Sequence, residues 1–244
     1  MKSTPPTAEL HVHIEGTLEP ETIWELVSRS GIELPYEDID DLKRRYQFDD
    51  LQSFLDLYYQ NMQVLVAAED FAEMTHAYLR RASEAGVRHV ELFFDPQAHM
   101  ARGVELSTVV EGIASALADS AEQYGMSSSL IACFIRDRDP AEALQVLQQL
   151  LDMEAPIIGI GLDSAERDYP PHLFEEVFAL AGEHGLRRVA HAGEEGPADY
   201  VRQALDVLGV ERIDHGVQSL SDPELVARLV REQVPLTVCP LSNV

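Results

Sequence analysis

Short apolar runs alternate along the chain with longer segments of helical periodicity. Most of these runs are continuously apolar instead of strictly alternating, which is typical of strands covered on both faces in a parallel sheet. Seven such runs predict strands at residues 8–14, 87–94, 129–135, 156–162, 187–192, 212–215 and 235–239.

The segments between these runs carry helix start and stop signals. Asp139-Pro140 and Asp222-Pro223 each pair an N-cap residue with a proline at the first helical position. Apolar residues recur at helical spacing in these segments, and Gly185 and Gly209 stand where two further helices should end. A repeated strand–helix unit of this kind indicates an α/β fold with parallel strands.

The interval between the first and second predicted strands is much longer than one crossover helix requires. It includes a helical pattern of Leu51, Phe54, Leu55 and Tyr58. We therefore predict a helical insertion over residues 17–85, packed over the end of the sheet where parallel barrels keep their active sites.

Composition is that of an ordinary folded protein, with 45% hydrophobic and 25% charged residues. A chain of 244 residues can bury a full core, and barrels of about 250 residues commonly form one domain, so we predict a single domain over residues 1–244. The 18 basic and 43 acidic residues give a formal net charge of −25. This balance argues against nucleic acid or anionic lipid as partners, and a surface so poor in lysine suits a high-salt cytoplasm.

The cysteines and the apolar segments indicate the compartment. Cys133 and Cys239 lie within apolar runs, which predicts buried strand thiols in a reducing compartment. The first residues contain no apolar signal-peptide segment, and no run approaches the roughly 18 apolar residues of a membrane span. We therefore expect a cytoplasmic protein with no membrane partner.

Four of the nine histidines lie at the ends of predicted strands. His11 and His13 are two residues apart in the first strand, so their side chains point to the same side. Taken alone, this pair is better explained as ordinary polar residues at a strand end. However, His191 and His215 end the fifth and sixth strands, and the carboxyl ends of barrel strands meet on the active-site face. This coincidence favours a functional site.

Neutral imidazoles are suitable ligands for a zinc-type cation, which can activate water as a nucleophile. Glu194 follows His191 by three residues and is placed to move protons between water and substrate. Glu195 is better explained as a solvated loop or helix-start carboxylate. Among the other histidines, His99 lies just beyond a strand end on the same face. The cytidine-type deaminase motifs are absent, and Gly159-Ile-Gly161 lies inside a strand and forms no phosphate loop.

Four motifs resemble those of the adenosine/adenine deaminase family, namely His11-Val-His13, His191-Ala-Gly-Glu194, Ile213-Asp-His-Gly216 and Cys239-Pro-Leu-Ser-Asn243. The resemblance runs over the entire chain in the family's order. It implies a TIM-type (β/α)8 barrel, of which about seven strands are present, and one zinc ion per chain.

The resemblance also implies a role for each motif residue. His11, His13 and His191 would hold the zinc ion during hydrolytic deamination of a purine at C6. Glu194 would be the proton shuttle that protonates N1, and His215 would orient the attacking water and stabilise its charge.

Further motifs are similar to the adenine deaminase branch, namely residues 13–20, 50–59, 93–97 and 161–166. Nucleoside deaminases usually have Asp-Gly where this chain has Glu15-Gly16, and a purine-contacting glycine where it has Ser164. Glu15 and Ser164 are therefore candidate substrate contacts, and the expected reaction is adenine to hypoxanthine and ammonia in purine salvage. An adenosine or modified-adenosine deaminase and a catalytically silent fragment are the alternatives.

Family members continue past the Cys-Pro-Leu-Ser-Asn motif to an eighth strand that carries Asp-Asp. The first aspartate would complete the zinc site and the second would contact N7 of the purine. The chain ends at Val244, so we expect a barrel that is C-terminally incomplete and a 244-residue polypeptide that is inactive alone. The sequence makes no prediction of oligomeric state.

Overall fold

The computed structural model describes residues 6–243. Within that range seven strands follow one another in chain order in the sheet, and every described strand pair is parallel. The strands are β1 (Thr7–His13), β2 (Val87–Phe94), β3 (Ser127–Ile135), β4 (Gly159–Asp163), β5 (Arg187–Ala192), β6 (Arg212–His215) and β7 (Leu236–Thr237).

The same part of the chain contains eleven α-helices, all of them between successive strands. They are α1 (Pro20–Ser30), α2 (Ile39–Arg44), α3 (Leu51–Asn61), α4 (Ala68–Ala85), α5 (Pro96–Met100), α6 (Leu106–Ala118), α7 (Ser120–Tyr124), α8 (Pro140–Asp152), α9 (Glu175–Glu183), α10 (Ala198–Gln203) and α11 (Pro223–Glu232). None of the helices in the described range is both long and apolar enough to cross a membrane.

The chain forms two compact units, Met1–Leu130 and Ile131–Val244. In the first unit, β1 and β2 pair so that His13 lies opposite Phe93. Helix α4 packs against both β2 and α6. Gly112 makes the contact with α6 close, because a Cβ atom at this position would collide with the Ala68 carbonyl group.

The long interval between β1 and β2 folds into the helices α1 to α4. Of the predicted apolar pattern on α3, Leu55 and Tyr58 are buried but Phe54 is exposed. The helix begins at a capping box formed by Asp50 and Ser53. Its Tyr58 hydroxyl lies 3.2 Å from Glu15 Oε2 and 3.1 Å from Asp95 Oδ2, two residues that follow β1 and β2. Helix α3 therefore lies over the carboxyl ends of these two strands.

In the second unit, the last part of β3 pairs with β4, and β4 to β7 follow in order. Gly161 of β4 lies opposite Cys133 of β3, and a Cβ atom at Gly161 would collide with the cysteine Sγ atom. The absence of a side chain at Gly161 thus makes room for the fully buried thiol of Cys133.

The helix boundaries of the second unit confirm the sequence signals. Asp139 accepts a hydrogen bond from the Ala141 N–H group and begins α8. Asp222 accepts from two backbone N–H groups and begins α11. Gly185 and Gly209 follow helical segments with φ of +73° and +62°, which glycine adopts without strain.

The seventh strand is shorter than predicted, and the prediction of a strand thiol at Cys239 is wrong. Strand β7 ends at Thr237, and Cys239 is half-exposed. The carbonyl group of Cys239 instead accepts hydrogen bonds from the N–H groups of Ser242 and Asn243. A carbonyl group used in this way belongs to a turn, so the chain leaves the sheet before Cys239.

Candidate active site

Two of the predicted metal ligands lie side by side on β1. The ring centroids of His11 and His13 are 5.6 Å apart, and a nitrogen atom of one ring lies within 4.8 Å of a nitrogen atom of the other. Both rings contact Phe93 of β2, at centroid distances of 5.4 and 5.0 Å. Strand alternation thus places both imidazoles on one face, and the Phe93 ring limits their movement.

Glu15 follows these histidines in the 3₁₀ turn Ile14–Thr17, and its side chain is fully buried. Its Oε1 atom accepts hydrogen bonds from the Asp95 N–H group at 3.0 Å and from His99 Nε2 at 2.9 Å. Burial raises the pKa of Glu15, but the hydrogen bonds from His99 and from the backbone N–H group of Asp95 outweigh it. The pKa of this carboxyl group therefore lies below its usual value.

The second unit brings the two predicted catalytic residues together. His215 Nε2 lies 3.4 Å from Glu194 Oε2, and the His215 ring centroid is 5.1 Å from that of His191. Asn243 contacts the other ring nitrogen of His215 at 3.1 to 3.3 Å. His215 also has a φ of +69°, a conformation that a residue with a side chain adopts at a cost and that is common in functional sites.

A buried carboxylate shapes the loop that carries Glu194. Glu166 accepts hydrogen bonds from four consecutive backbone N–H groups, those of residues 193–196, at 2.6 to 2.9 Å. Arg136 donates to the His191 carbonyl group at 2.7 Å and lies 4.0 Å from Glu166 Oε1. The backbone after β5 is therefore held by two oppositely charged and buried side chains.

Asp214 lies on β6, directly before His215. It pairs with His191 in the register of β5 and β6, and its Oδ2 atom is 3.9 Å from His191 Nδ1. Arg212 Nε donates to the other oxygen at 3.1 Å. At this separation the Asp214 carboxylate acts on the His191 imidazole through its negative charge.

Each of the predicted site residues in the described range follows or ends a strand. His11 and His13 end β1, Glu15 and Ser164 come just after β1 and β4, and His191, Glu194 and His215 lie at the ends of β5 and β6. Ser164 is almost fully buried and has a φ of +73°, a conformation that glycine adopts without strain.

Sequence reasoning missed Glu166 and Arg136, and it left His99 without a partner. One signal could have found all three, because each charged or polar residue comes within a few positions of a strand end. Their hydrogen-bond partners could not have been read from spacing, since Arg136 and Glu166 bind groups about thirty or more residues away.

Comparison with known proteins decides the family. The adenosine deaminase family model matches residues 6–244, nearly the whole chain. The chain belongs to the adenosine deaminase family.

Relatives within the adenosine deaminase family are close in sequence. An adenine deaminase of Streptomyces coelicolor is 59% identical over 98% of this chain and 70% of its own length. The crystal structure of adenine deaminase from Arthrobacter aurescens is 63% identical, with a TM-score of 0.97 over 98% of this chain and 73% of that one. This agreement confirms the predicted α/β barrel class and the resemblance to the adenine deaminase branch.

A zinc-containing amidohydrolase also resembles this adenosine deaminase family member. The crystal structure of an amidohydrolase from Burkholderia ambifaria with bound Zn is 30% identical, with a TM-score of 0.90 over 98% of this chain and 66% of that one. In the present structure the paired imidazoles of His11 and His13 offer two nitrogen ligands on one face, which is the donor chemistry that zinc prefers. The residues present therefore fit a zinc ion.

Proposed function

We propose that this protein hydrolytically deaminates adenine at C6, producing hypoxanthine and ammonia, a reaction of purine salvage. The observation that carries the proposal is its 63% identity to an adenine deaminase over 98% of the chain. The Glu194–His215 pair supports it, because a carboxylate 3.4 Å from an imidazole supplies the acid–base groups that hydrolysis needs.

His11, His13 and His191 are the proposed ligands of one zinc ion. When bound, zinc would lower the pKa of water toward neutrality and so make water a better nucleophile. The imidazoles must be neutral to bind a metal ion, so binding would weaken in acid. Asp214, near His191 Nδ1, would orient that ligand.

Glu194 is the proposed proton carrier of the reaction. A new bond forms between the water oxygen and C6, while the Glu194 carboxylate takes a proton from water and delivers it to N1 of the purine. The bond between C6 and the amino nitrogen then breaks, and the amine leaves with the second proton of water as ammonia. His215, next to Glu194 Oε2, orients the water and stabilises the developing negative charge.

Ser164 and Glu15 remain proposed substrate-side residues with different surroundings. Ser164 follows β4 directly, where a hydroxyl group could hydrogen-bond a purine edge. Glu15 is fully buried and contacts Asp95, His99 and Tyr58. Its effect on substrate is therefore proposed to act through these neighbours, by fixing the backbone that follows β1 and β2.

The proposal is tested by comparing kcat/KM for adenine, adenosine and an N6-substituted adenine. The protein is expressed from its natural coding sequence, and ammonia release is measured with zinc content determined in the same preparation. A clear preference for adenine is expected. A large preference for adenosine or for the N6-substituted base would overturn the proposed substrate.

A further inference from the structure

Glu166 has an unusual set of hydrogen-bond partners for a carboxylate. Its Oε1 atom accepts from the Gly193 N–H group at 2.6 Å, and its Oε2 atom accepts from the N–H groups of Glu194, Glu195 and Gly196 at 2.9, 2.7 and 2.7 Å. The side chain is only 1% exposed. Consecutive backbone N–H groups that converge on one carboxylate form a concavity that binds an anion.

Both ends of this loop are built to receive the carboxylate. A Cβ atom at Gly196 would come within 2.7 Å of Glu166 Cδ and Oε1. Gly193 has a φ of +70°, and a Cβ atom there would approach Val201 Cγ2 within 2.7 Å. Glycine at these positions thus permits both the curl and the close approach of the anion.

The same cluster holds the strand that leads into the loop. Arg136 Nη1 donates to the His191 carbonyl group at 2.7 Å, and Arg136 Nε donates to the Tyr169 carbonyl group at 3.0 Å. Arg136 Nη1 is also 4.0 Å from Glu166 Oε1. Its positive charge therefore offsets part of the free-energy cost of burying the Glu166 carboxylate. The backbone of residues 191–196 therefore has anchors at both ends.

We propose that Glu166 is the positioning residue for Glu194, holding its backbone so that its side chain faces His215. The inference rests on the proposed function, in which Glu194 carries the proton. Glu166 binds the N–H group of Glu194 itself and those of both its neighbours, while the Glu194 carboxylate lies 3.4 Å from His215 Nε2. A released loop would leave that carboxylate without a fixed direction.

The test uses Glu166→Gln, which keeps the size of the side chain but turns its NH2 group toward backbone donors. We expect kcat for adenine to fall about 10- to 100-fold, the usual effect of losing a group that supports or aligns a reacting one. KM should change less than about threefold and zinc content should stay the same, since no proposed ligand is altered. Hydrogen exchange of the peptide that contains residues 193–196 should accelerate.

Asp222→Asn is the matched control. Asp222 also accepts two backbone N–H groups, those of Glu224 and Leu225 at 3.1 Å, and also pairs with an arginine, Arg202. The Asp222→Asn substitution should lower the melting temperature of the protein without lowering kcat per folded molecule. If Glu166→Gln behaves in the same way, Glu166 is only structural and the inference is overturned.

A second variant covers the case in which Glu166→Gln does not fold. Gly196→Ala keeps the charge of Glu166, but its Cβ atom would collide with the Glu166 carboxylate and with Tyr200 Cδ2. The displaced carboxylate should reproduce the loss of kcat. Gly182→Ala in α9 is its control, since a Cβ atom there meets only the end of the flexible Arg188 side chain. Unchanged kcat in Gly196→Ala overturns the inference.

Failure of the proposed function gives a different result. If the wild-type protein with bound zinc does not convert adenine, the proposed reaction is wrong. Hydrogen exchange in residues 193–196 then still decides whether Glu166 holds the loop. If residues 193–196 exchange as slowly in Glu166→Gln as in the wild type, the inference is overturned whatever the activity.

Discussion

His99 Nε2 lies 2.9 Å from Glu15 Oε1, and neither side chain is exposed to water. Arg102 Nη2 lies 2.8 Å from the other ring nitrogen of His99. Because a guanidinium group can only donate, that nitrogen must accept, and the ring proton must be on Nε2. His99 is therefore a neutral donor to Glu15.

The pKa of His99 agrees with this assignment. Burial lowers the pKa of the imidazole, and the positive charge of Arg102 lowers it further, while the Glu15 carboxylate raises it. The net direction is downward, so the ring is neutral at pH 7. A neutral ring can hold the direction of the Glu15 hydrogen bond without adding a charge to the interior.

His99→Phe should lower the free energy of unfolding by about 2 kcal/mol, because it removes a donor from a buried carboxylate. The phenyl ring can keep the edge-to-face contact with Phe71, at a centroid distance of 4.8 Å. Urea denaturation at pH 7 measures the change. His89→Phe is the control, since His89 is half-exposed and its loss should cost less than about 0.5 kcal/mol. Equal losses of unfolding free energy in the two variants would show that the buried hydrogen bond from His99 to Glu15 does not stabilise the fold more than a half-exposed histidine does.

Ser164→Gly should raise the free energy of unfolding by about 0.5 to 1 kcal/mol. Ser164 has a φ of +73°, where a residue with a side chain is strained by about 1–2 kcal/mol. The greater freedom of glycine in the unfolded chain cancels part of this gain. Gly185 has the same φ and open space at its Cβ position, so Gly185→Ser should lower stability by a similar amount. A stability loss in Ser164→Gly would show that the hydroxyl group matters more than the backbone.

The fold could be predicted well where the signals are local. The limits of β2, β5 and β6 agree with the prediction, because continuous apolar runs are bounded there by polar or turn residues. Helices α8 and α11 begin at Asp139 and Asp222, where a capping side chain and a proline stand together. Strand β7 is short because the turn at Cys239 involves later residues.

The site could be predicted only in part. His191, Glu194 and His215 stand in short motifs, and the structure places them close to one another in the second unit. No short motif in the sequence indicates that Glu166 and Arg136 hold the loop after β5. Both act on backbone groups, and every residue except proline has the same N–H and C=O groups. The side chains of residues 193–196 therefore do not indicate which charged residues bind the backbone of this loop.

Asp70→Asn should destabilise the protein in a pH-dependent way. Asp70 accepts hydrogen bonds from the N–H groups of Val66 and Ala67 and from Arg29 Nη2. Burial raises the pKa of Asp70, but the two N–H groups and Arg29 outweigh it, so the pKa lies below the usual 3.8. At pH 7 the variant should lose about 2 kcal/mol of unfolding free energy.

The sign of this pH dependence follows from the lowered pKa. A carboxyl group with a depressed pKa contributes its stability above the unfolded pKa, and the contribution is lost as pH falls through the folded value. The difference between wild type and Asp70→Asn should be constant from pH 7 to about 5 and shrink below 3.8. Urea titrations across this range measure it. Glu73→Gln, which affects the more exposed partner of Arg29, should cost little at any pH.

Glu194→Gln should reduce kcat for adenine by a factor on the order of 10² or more, because the amide cannot carry a proton from water to N1. Zinc content should stay near that of the wild type, since Glu194 is not a proposed ligand. Glu195→Gln is the neighbouring control. Glu195 pairs with Arg167 at 3.2 Å, so its variant should keep kcat within about threefold. Retained turnover in Glu194→Gln would remove this residue from the mechanism.

The last prediction separates a metal ligand from a catalytic neighbour by measuring both zinc and turnover. His191→Ala should lose both, because it removes a proposed zinc ligand. His215→Ala should keep most of the zinc but lose turnover, since its imidazole lies 3.4 Å from Glu194 Oε2 and would orient the water. His184→Ala, an exposed position, should change neither quantity. Metal analysis and ammonia release on the same samples decide the matter. If His215→Ala lacks zinc while His191→Ala retains it, the roles of these two histidines are reversed.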